Sequence, residues 1–168
     1  NMAVRGDRLT CIDLPAKPLT VARLHLAETG NNVDYRNVAV EDLARELPGH
    51  FDAVTCMELL EHVPDPASTI NACASLVKAG GDVFFSTINR NLKSYLFAVV
   101  GAEYVLRLLP RGTHDYAKFI KPSEMSALCR DAGLELRGIT GMTYNPLTGI
   151  YALGSDTSVN YIMHCVKG

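Results

Sequence analysis

The sequence predicts an α/β fold: a mostly parallel sheet covered by helices and closed by an antiparallel strand pair near the C-terminus. Three observations carry this. Short β-branched, apolar runs ("RLTCIDL", "FDAVTCM", "DVFFSTI") alternate with stretches of helical spacing. The resulting β-α-β-α-β-α-β order is that of a parallel sheet with helices on its faces. The last two strand candidates have no helix between them, so they should pair antiparallel.

The elements follow in order. "RLTCIDL" is a buried strand that ends in an acid, Asp13. "AKPLTVARLHLAETG" places Leu19, Ala22 and Leu26 at helical spacing and closes on Gly30. "VDYRNV" is the next strand, and "VEDLARELPGH" a short helix stopped by Pro48-Gly49. "FDAVTCM" is a buried strand. A helix over 64–78 carries Ile70, Cys73, Ala74 and Val77, and Gly80-Gly81 should end it. "DVFFSTI" is the strongest strand. After a long apolar segment, "KPSEMSALCRDAGL" resumes as a helix with Pro122 in its first turn. "LELRGITGMTYNP" and "SVNYIMHCV" are the antiparallel pair, joined by a loop over 145–157.

At 168 residues the chain reads as one domain (1–168) with a real core, 48% hydrophobic and 20% charged. Its net charge of −2 gives no reason to expect nucleic acid as the main partner. Five widely spaced cysteines form no C-x-x-C pair and read as small apolar residues in a reducing compartment. No segment is uniformly apolar enough to span a bilayer, and the first residues lack a signal-peptide apolar run. Charge is uneven, however. Between Arg90 and Lys121 six basic residues face two acids, so this segment carries +4 and the rest of the chain −6.

Ligands of open α/β sheets collect at the C-terminal ends of the strands. Here those tips are Asp13, Met57-Glu58 and Ile88-Asn89. A strand-ending carboxylate can accept from both hydroxyls of a ribose diol; Asp13 could equally be a turn aspartate before Pro15. The glycine loop that accompanies a ribose acid lies about 20 residues earlier. The chain has only twelve residues before Asp13 and no G-x-G pattern. The expectation is that the first strand and the glycine loop lie outside these residues.

The stretches "CIDLPAKPLTVARLH", "FDAVTCMELLEHVPDP", "LVKAGGDVFFSTINRN", "RGTHDYAKFIKP", "GMTYNPLTG" and "VNYIMHCVKG" resemble, in order, the class I S-adenosylmethionine-dependent methyltransferases with a Rossmann-like sheet. Within that class they resemble the ubiquinone-biosynthesis O-methyltransferases. The resemblance implies S-adenosylmethionine as cofactor, Asp13 as the ribose acid, Met57 against the cofactor, and a loop at Val40-Glu41 beside the adenine. It implies methylation of a hydroxyl on a polyprenyl catechol or hydroquinone, other ubiquinone-biosynthesis proteins as partners, and work at the membrane without spanning it. The corresponding location is cytoplasmic and peripheral to the inner membrane, or the matrix face in a mitochondrion.

If "ELLEH" forms one helical turn, Glu58, Glu61 and His62 share a face. That arrangement is either a solvated ion-paired cluster or a site for a hard divalent cation, magnesium, which would lower the pKa of a catechol hydroxyl. His62 could instead act directly as general base. His114 in "GTHD" is a further substrate-contact candidate, or a loop histidine with a capping partner.

The inserted segment 90–121 has apolar residues on all helix faces (Leu92, Tyr95, Leu96, Val99 and Leu106 among them) flanked by Arg90, Lys93, Arg107 and Arg111. It reads as a buried lid, or as a docking element for an anionic membrane surface. A nicotinamide oxidoreductase of the short-chain type needs Tyr-x-x-x-Lys, which the sequence lacks. The non-enzyme alternative is a lipid-docking subunit of a biosynthetic complex that has lost catalysis.

Overall fold

The protein is described from a computed structural model covering residues 8–29, 33–94, 115–145 and 149–168. It consists of two compact units, residues 1–47 and 48–168. His114 and residues 95–114 of the basic, apolar segment lie outside the described residues.

In the first unit, β1 (Leu9–Ile12) and β2 (Val33–Arg36) pair in parallel, Cys11 opposite Tyr35. They alternate with α1 (Ala16–Thr29) and α2 (Val40–Glu46). Leu19, Leu43 and Ala44 are the buried apolar side chains here. Val40 and Glu41, expected in a loop, instead open α2, with Glu41 and Asp42 placing negative charge in its first turn.

The second unit holds β3 (Phe51–Met57), α3 (Pro66–Leu76), β4 (Val77–Ile88), a short helix α4 (Leu92–Ser94), a 3-10 turn (Tyr116–Lys118), α5 (Pro122–Asp131), β5 (Leu134–Asn145), β6 (Ile150–Gly154) and β7 (Asn160–Lys167). The sheet order is β3-β4-β7-β5-β6. The β3–β4 ladder is parallel, whereas β7 pairs antiparallel with both β4 and β5. It follows that β3, β4 and β5 all run in one direction, with β7 inserted against them. The antiparallel pairing expected of the last two strands is observed.

Two expectations need correction. Gly80-Gly81 does not end α3; the helix stops at Leu76 and both glycines lie inside β4. The reason is a register shift between Phe51 and Ala53 on the neighbouring strand. A Cβ on Gly81 would sit 2.8 Å from the Asp52 carbonyl oxygen, so only glycine lets the strands approach there. The loop expected over 145–157 contains β6, which pairs antiparallel with β5. The chain beyond it crosses Gly141, where an added Cβ would meet the Asp156 carbonyl oxygen at 1.8 Å.

The core sits between one sheet face and α3 and α5. On β7, Tyr161, Met163 and Cys165 are buried at period two, the signature of a one-sided strand. They meet buried residues of β4 (Val83, Phe85), α3 (Ile70, Cys73, Leu76) and α5 (Met125, Cys129). Each large apolar side chain so buried contributes about 1.5–3 kcal/mol. The Tyr161 hydroxyl, buried with the rest, donates to the Ile120 carbonyl at 2.9 Å. Among the described residues no helix is long and apolar enough to cross a membrane.

Candidate active site

In the first unit, the ladder continues one residue past β1, because the Asp13 N–H donates to the Arg36 carbonyl at 3.2 Å. The Asn37 amide pins the turn by donating to the carbonyls of Asp13 (2.9 Å) and Leu14 (2.6 Å). The backbone is therefore held while the half-buried Asp13 carboxylate hydrogen-bonds to no described side chain. Such a carboxylate fits a ligand diol.

In the second unit, β3 ends at Met57, whose side chain is exposed. The next residue, Glu58, takes φ 49°, a left-handed conformation that costs an L-residue on the order of 1–2 kcal/mol. Ser86 on β4 holds it there. The Glu58 N–H donates to both the carbonyl and Oγ of Ser86 at 3.0 Å, and Ser86 Oγ donates to Glu58 Oε1 at 2.8 Å. Thr87, next on β4, donates from Oγ1 to Glu61 Oε2 at 2.8 Å. Ser86, Thr87 and Glu61 are all buried.

Glu61 lies close enough to raise the Glu58 carboxyl further, and the nearby Asn160 side chain on β7 favours its ionised form. Two carboxylates so close favour a shared proton or a cation between them. Burial pushes the Glu58 carboxyl up to about 7, opposed by the Ser86 hydroxyl and raised further by the charge of Glu61. A carboxyl that titrates near neutrality at a strand tip suits proton transfer.

The expected helical turn over "ELLEH" does not form. The left-handed Glu58 bends the chain, His62 N–H closes a turn on the Leu59 carbonyl at 2.9 Å, and α3 starts only at Pro66. Asp65 caps that helix by accepting from the Ser68 N–H at 3.1 Å. Consequently Glu58 and Glu61 are brought together, but His62 is exposed. Among the described residues no three His, Cys, Asp or Glu side chains are placed to hold a metal ion. The three-ligand set expected from Glu58, Glu61 and His62 is thus not assembled.

Sequence reasoning missed Ser86, Thr87 and Asn160. The available signal was "ST" inside the apolar run "DVFFSTI", since two hydroxyls in a buried strand need partners. The 58–64 turn also contributes Leu60, Val63 and Pro64 to a mainly apolar cleft of about 330 Å³, lined further by Phe119 and Ile120. Arg90, ion-paired with Glu124, forms part of its wall.

A methyltransferase-domain family model matches residues 2–138. The ubiquinone biosynthesis O-methyltransferase of Nitrosomonas europaea is 68% identical over 163 residues, covering 97% of this chain and 69% of that protein. The enzyme of the same name from Dechloromonas aromatica is 64% identical over 167 residues, covering 99% of this chain and 72% of that protein. Among solved structures, a SAM-dependent methyltransferase from Methanosarcina mazei superimposes with a TM-score of 0.71 at 18% identity, covering 99% of this chain and 84% of that one. A possible histamine N-methyltransferase from Thermotoga maritima gives a TM-score of 0.69 at 18% identity, covering 95% and 73%. These two likenesses concern the fold, which is the class I methyltransferase fold. With the fold and the close relatives in agreement, the catalysis-free alternative is set aside: the chain belongs to the ubiquinone biosynthesis O-methyltransferase family, enzymes that use S-adenosylmethionine to methylate oxygen.

Proposed function

We propose that the protein methylates a hydroxyl of a polyprenyl catechol or hydroquinone, and that Glu58, backed by Glu61, takes the hydroxyl proton. The observation that carries this is the carboxyl pair at the end of β3, Glu61 buried and Glu58 half-buried, with burial pushing Glu58 up to about 7. A catechol hydroxyl attacks far better as its anion, and a base with a pKa close to ambient pH is ionised often enough to accept its proton. S-adenosylmethionine, when bound, supplies an electrophilic methyl group. In the first unit Asp13 would hold its ribose diol, with the start of α2 at Val40 and Glu41 as a further cofactor contact; Met57 of the second unit is proposed as another. The apolar cleft beside Leu60 and Phe119 suits the first part of a polyprenyl tail.

A second reading is favoured by the same convergence of carboxylates. A magnesium ion is commonly held by one or two carboxylates plus water and substrate. Glu58 and Glu61 would be those ligands and the cation would acidify the hydroxyl, leaving exposed His62 outside the set. His62 acting as base and His114 touching substrate complete the candidate roles. Segment 90–121 would attach the enzyme peripherally to the anionic face of the inner membrane, where other ubiquinone-biosynthesis proteins could meet it.

The test is calorimetric titration with S-adenosylhomocysteine, followed by a methylation assay on a short-tailed catechol with and without chelator. Micromolar binding and turnover that survive chelation support the carboxylate pair alone. Loss of turnover on chelation, restored by magnesium, supports the cation. Absence of turnover on any catechol would sink both.

A further inference from the structure

We propose that the β5–β6 hairpin is a second lipid-contact surface, uncharged, that enters the interfacial layer of a bilayer beside the active end of the sheet. The inference rests on the polyprenyl-substrate reading above, which requires the enzyme to meet a bilayer. From Gly138 to Ser155 the sequence contains no Asp, Glu, Lys, Arg or His. Within that stretch Tyr144 is 44% exposed, Ile150 62%, Tyr151 66% and Leu153 67%. So much apolar surface gathered on one hairpin marks an interaction site. Tyr144 and Tyr151 face each other across the ladder with ring centroids 4.7 Å apart. Tyrosine, with an apolar ring and a polar tip, suits the boundary between lipid and water.

The register places this surface at the right end of the molecule. Met142 on β5 lies opposite Asn160 on β7, which lies opposite Ile88 at the tip of β4. Asn160 also lies near Glu58. Thr143 and Tyr144, with Ala152 and Tyr151 paired to them on β6, therefore project past the rim where the carboxyl pair sits. A second copy of the chain could pair with β6, which is outermost in the sheet. However, a copy seated there would crowd the end of the sheet through which substrate enters. The exposed apolar residues of the hairpin also stand in a stretch, Gly138 to Ser155, with no charged residue, and charge begins only at its base with the Lys93–Asp156 pair. A bilayer fits both observations.

The hairpin differs in kind from segment 90–121. Attraction of a basic segment to anionic lipid is screened by salt, whereas insertion of an uncharged hairpin is not. The chain has no tryptophan, so Tyr151→Trp in the full chain gives a single reporter. With phosphatidylcholine vesicles at about 0.5 M salt, its emission should shift to the blue and be quenched by brominated lipid. Adding Ile150→Ser and Leu153→Ser should weaken partitioning about tenfold or more, yet leave turnover of a short, water-soluble catechol unchanged. Emission that vesicles leave unshifted would overturn the proposal. So would a shift without vesicles that tracks protein concentration and a dimer in sedimentation, which would make the hairpin a self-association surface. Failure of soluble-catechol turnover in the unsubstituted enzyme would instead count against the proposed function, because the partitioning readout needs no catalysis.

Discussion

Two strands of this protein end in an acid, and the two acids are treated in opposite ways. Asp13 follows β1 with its backbone pinned by Asn37 and Arg36, and its carboxylate hydrogen-bonds to no described side chain. Glu58 follows β3 in a left-handed conformation, and its carboxylate meets Ser86, Glu61 and Asn160. The first arrangement leaves an acceptor open to a ligand. The second half-buries an acid and raises its pKa. The same motif in sequence, an apolar run closed by a carboxylate, is thus proposed as a binding group in one place and a proton-transfer group in the other.

The largest effect expected from breaking this contrast is at Glu58. Glu58→Gln should lower turnover about 10²–10⁴-fold, the range for loss of a general base. The same substitution should stabilise the fold at high pH. The Glu58 pKa rises from 4.5 to about 7 on folding. The native state then binds more protons than the unfolded state between those values, so stability falls as pH rises through that window. Removing the acid abolishes that loss, a gain of up to about 3 kcal/mol at pH 8 and little at pH 4. Urea unfolding at both pH values would measure it.

Next in size is Asp13→Ala, which would remove two charge-assisted hydrogen bonds to the ribose diol it is proposed to hold. S-adenosylhomocysteine affinity should fall about ten- to a hundredfold, read by calorimetry, with thermal stability nearly unchanged. Smaller again is Thr87→Ala, which frees Glu61 from its hydroxyl partner. We expect kcat to fall roughly tenfold with KM for the cofactor unchanged, and Thr87→Ser to restore most of it. If Thr87→Ser is as poor as the alanine variant, the hydroxyl is not the operative group.

The strand and helix alternation was legible because buried β-branched runs such as "FDAVTCM" and "DVFFSTI" and the helical spacing of Ile70 and Cys73 are local signals. The antiparallel closing pair was legible from the lack of a helix between its strands. Beyond those signals, the reading failed where long-range contacts decide. Gly80-Gly81 looks like a helix stop, yet the approach of Asp52 makes it part of a strand. Strand β6 hid in a stretch rich in turn residues, because only pairing with β5 makes it a strand. At the site, the convergence of Glu58 and Glu61 was foreseen from helical spacing, and it occurs for another reason. Hydroxyls of Ser86 and Thr87, more than twenty residues away, gather the two carboxylates while the turn leaves His62 exposed.

The measurement that bears most directly on the account is the pH dependence of kcat/KM on a short-tailed catechol in chelated buffer, for the parent enzyme, Glu58→Gln and His62→Ala. The account predicts a rate that rises with pH through about 7, as Glu58 loses its proton, and then levels. His62→Ala should keep that inflection and Glu58→Gln should abolish it along with most of the rate. An inflection that disappears with His62 and persists without Glu58 would contradict it, and would make the exposed imidazole the base.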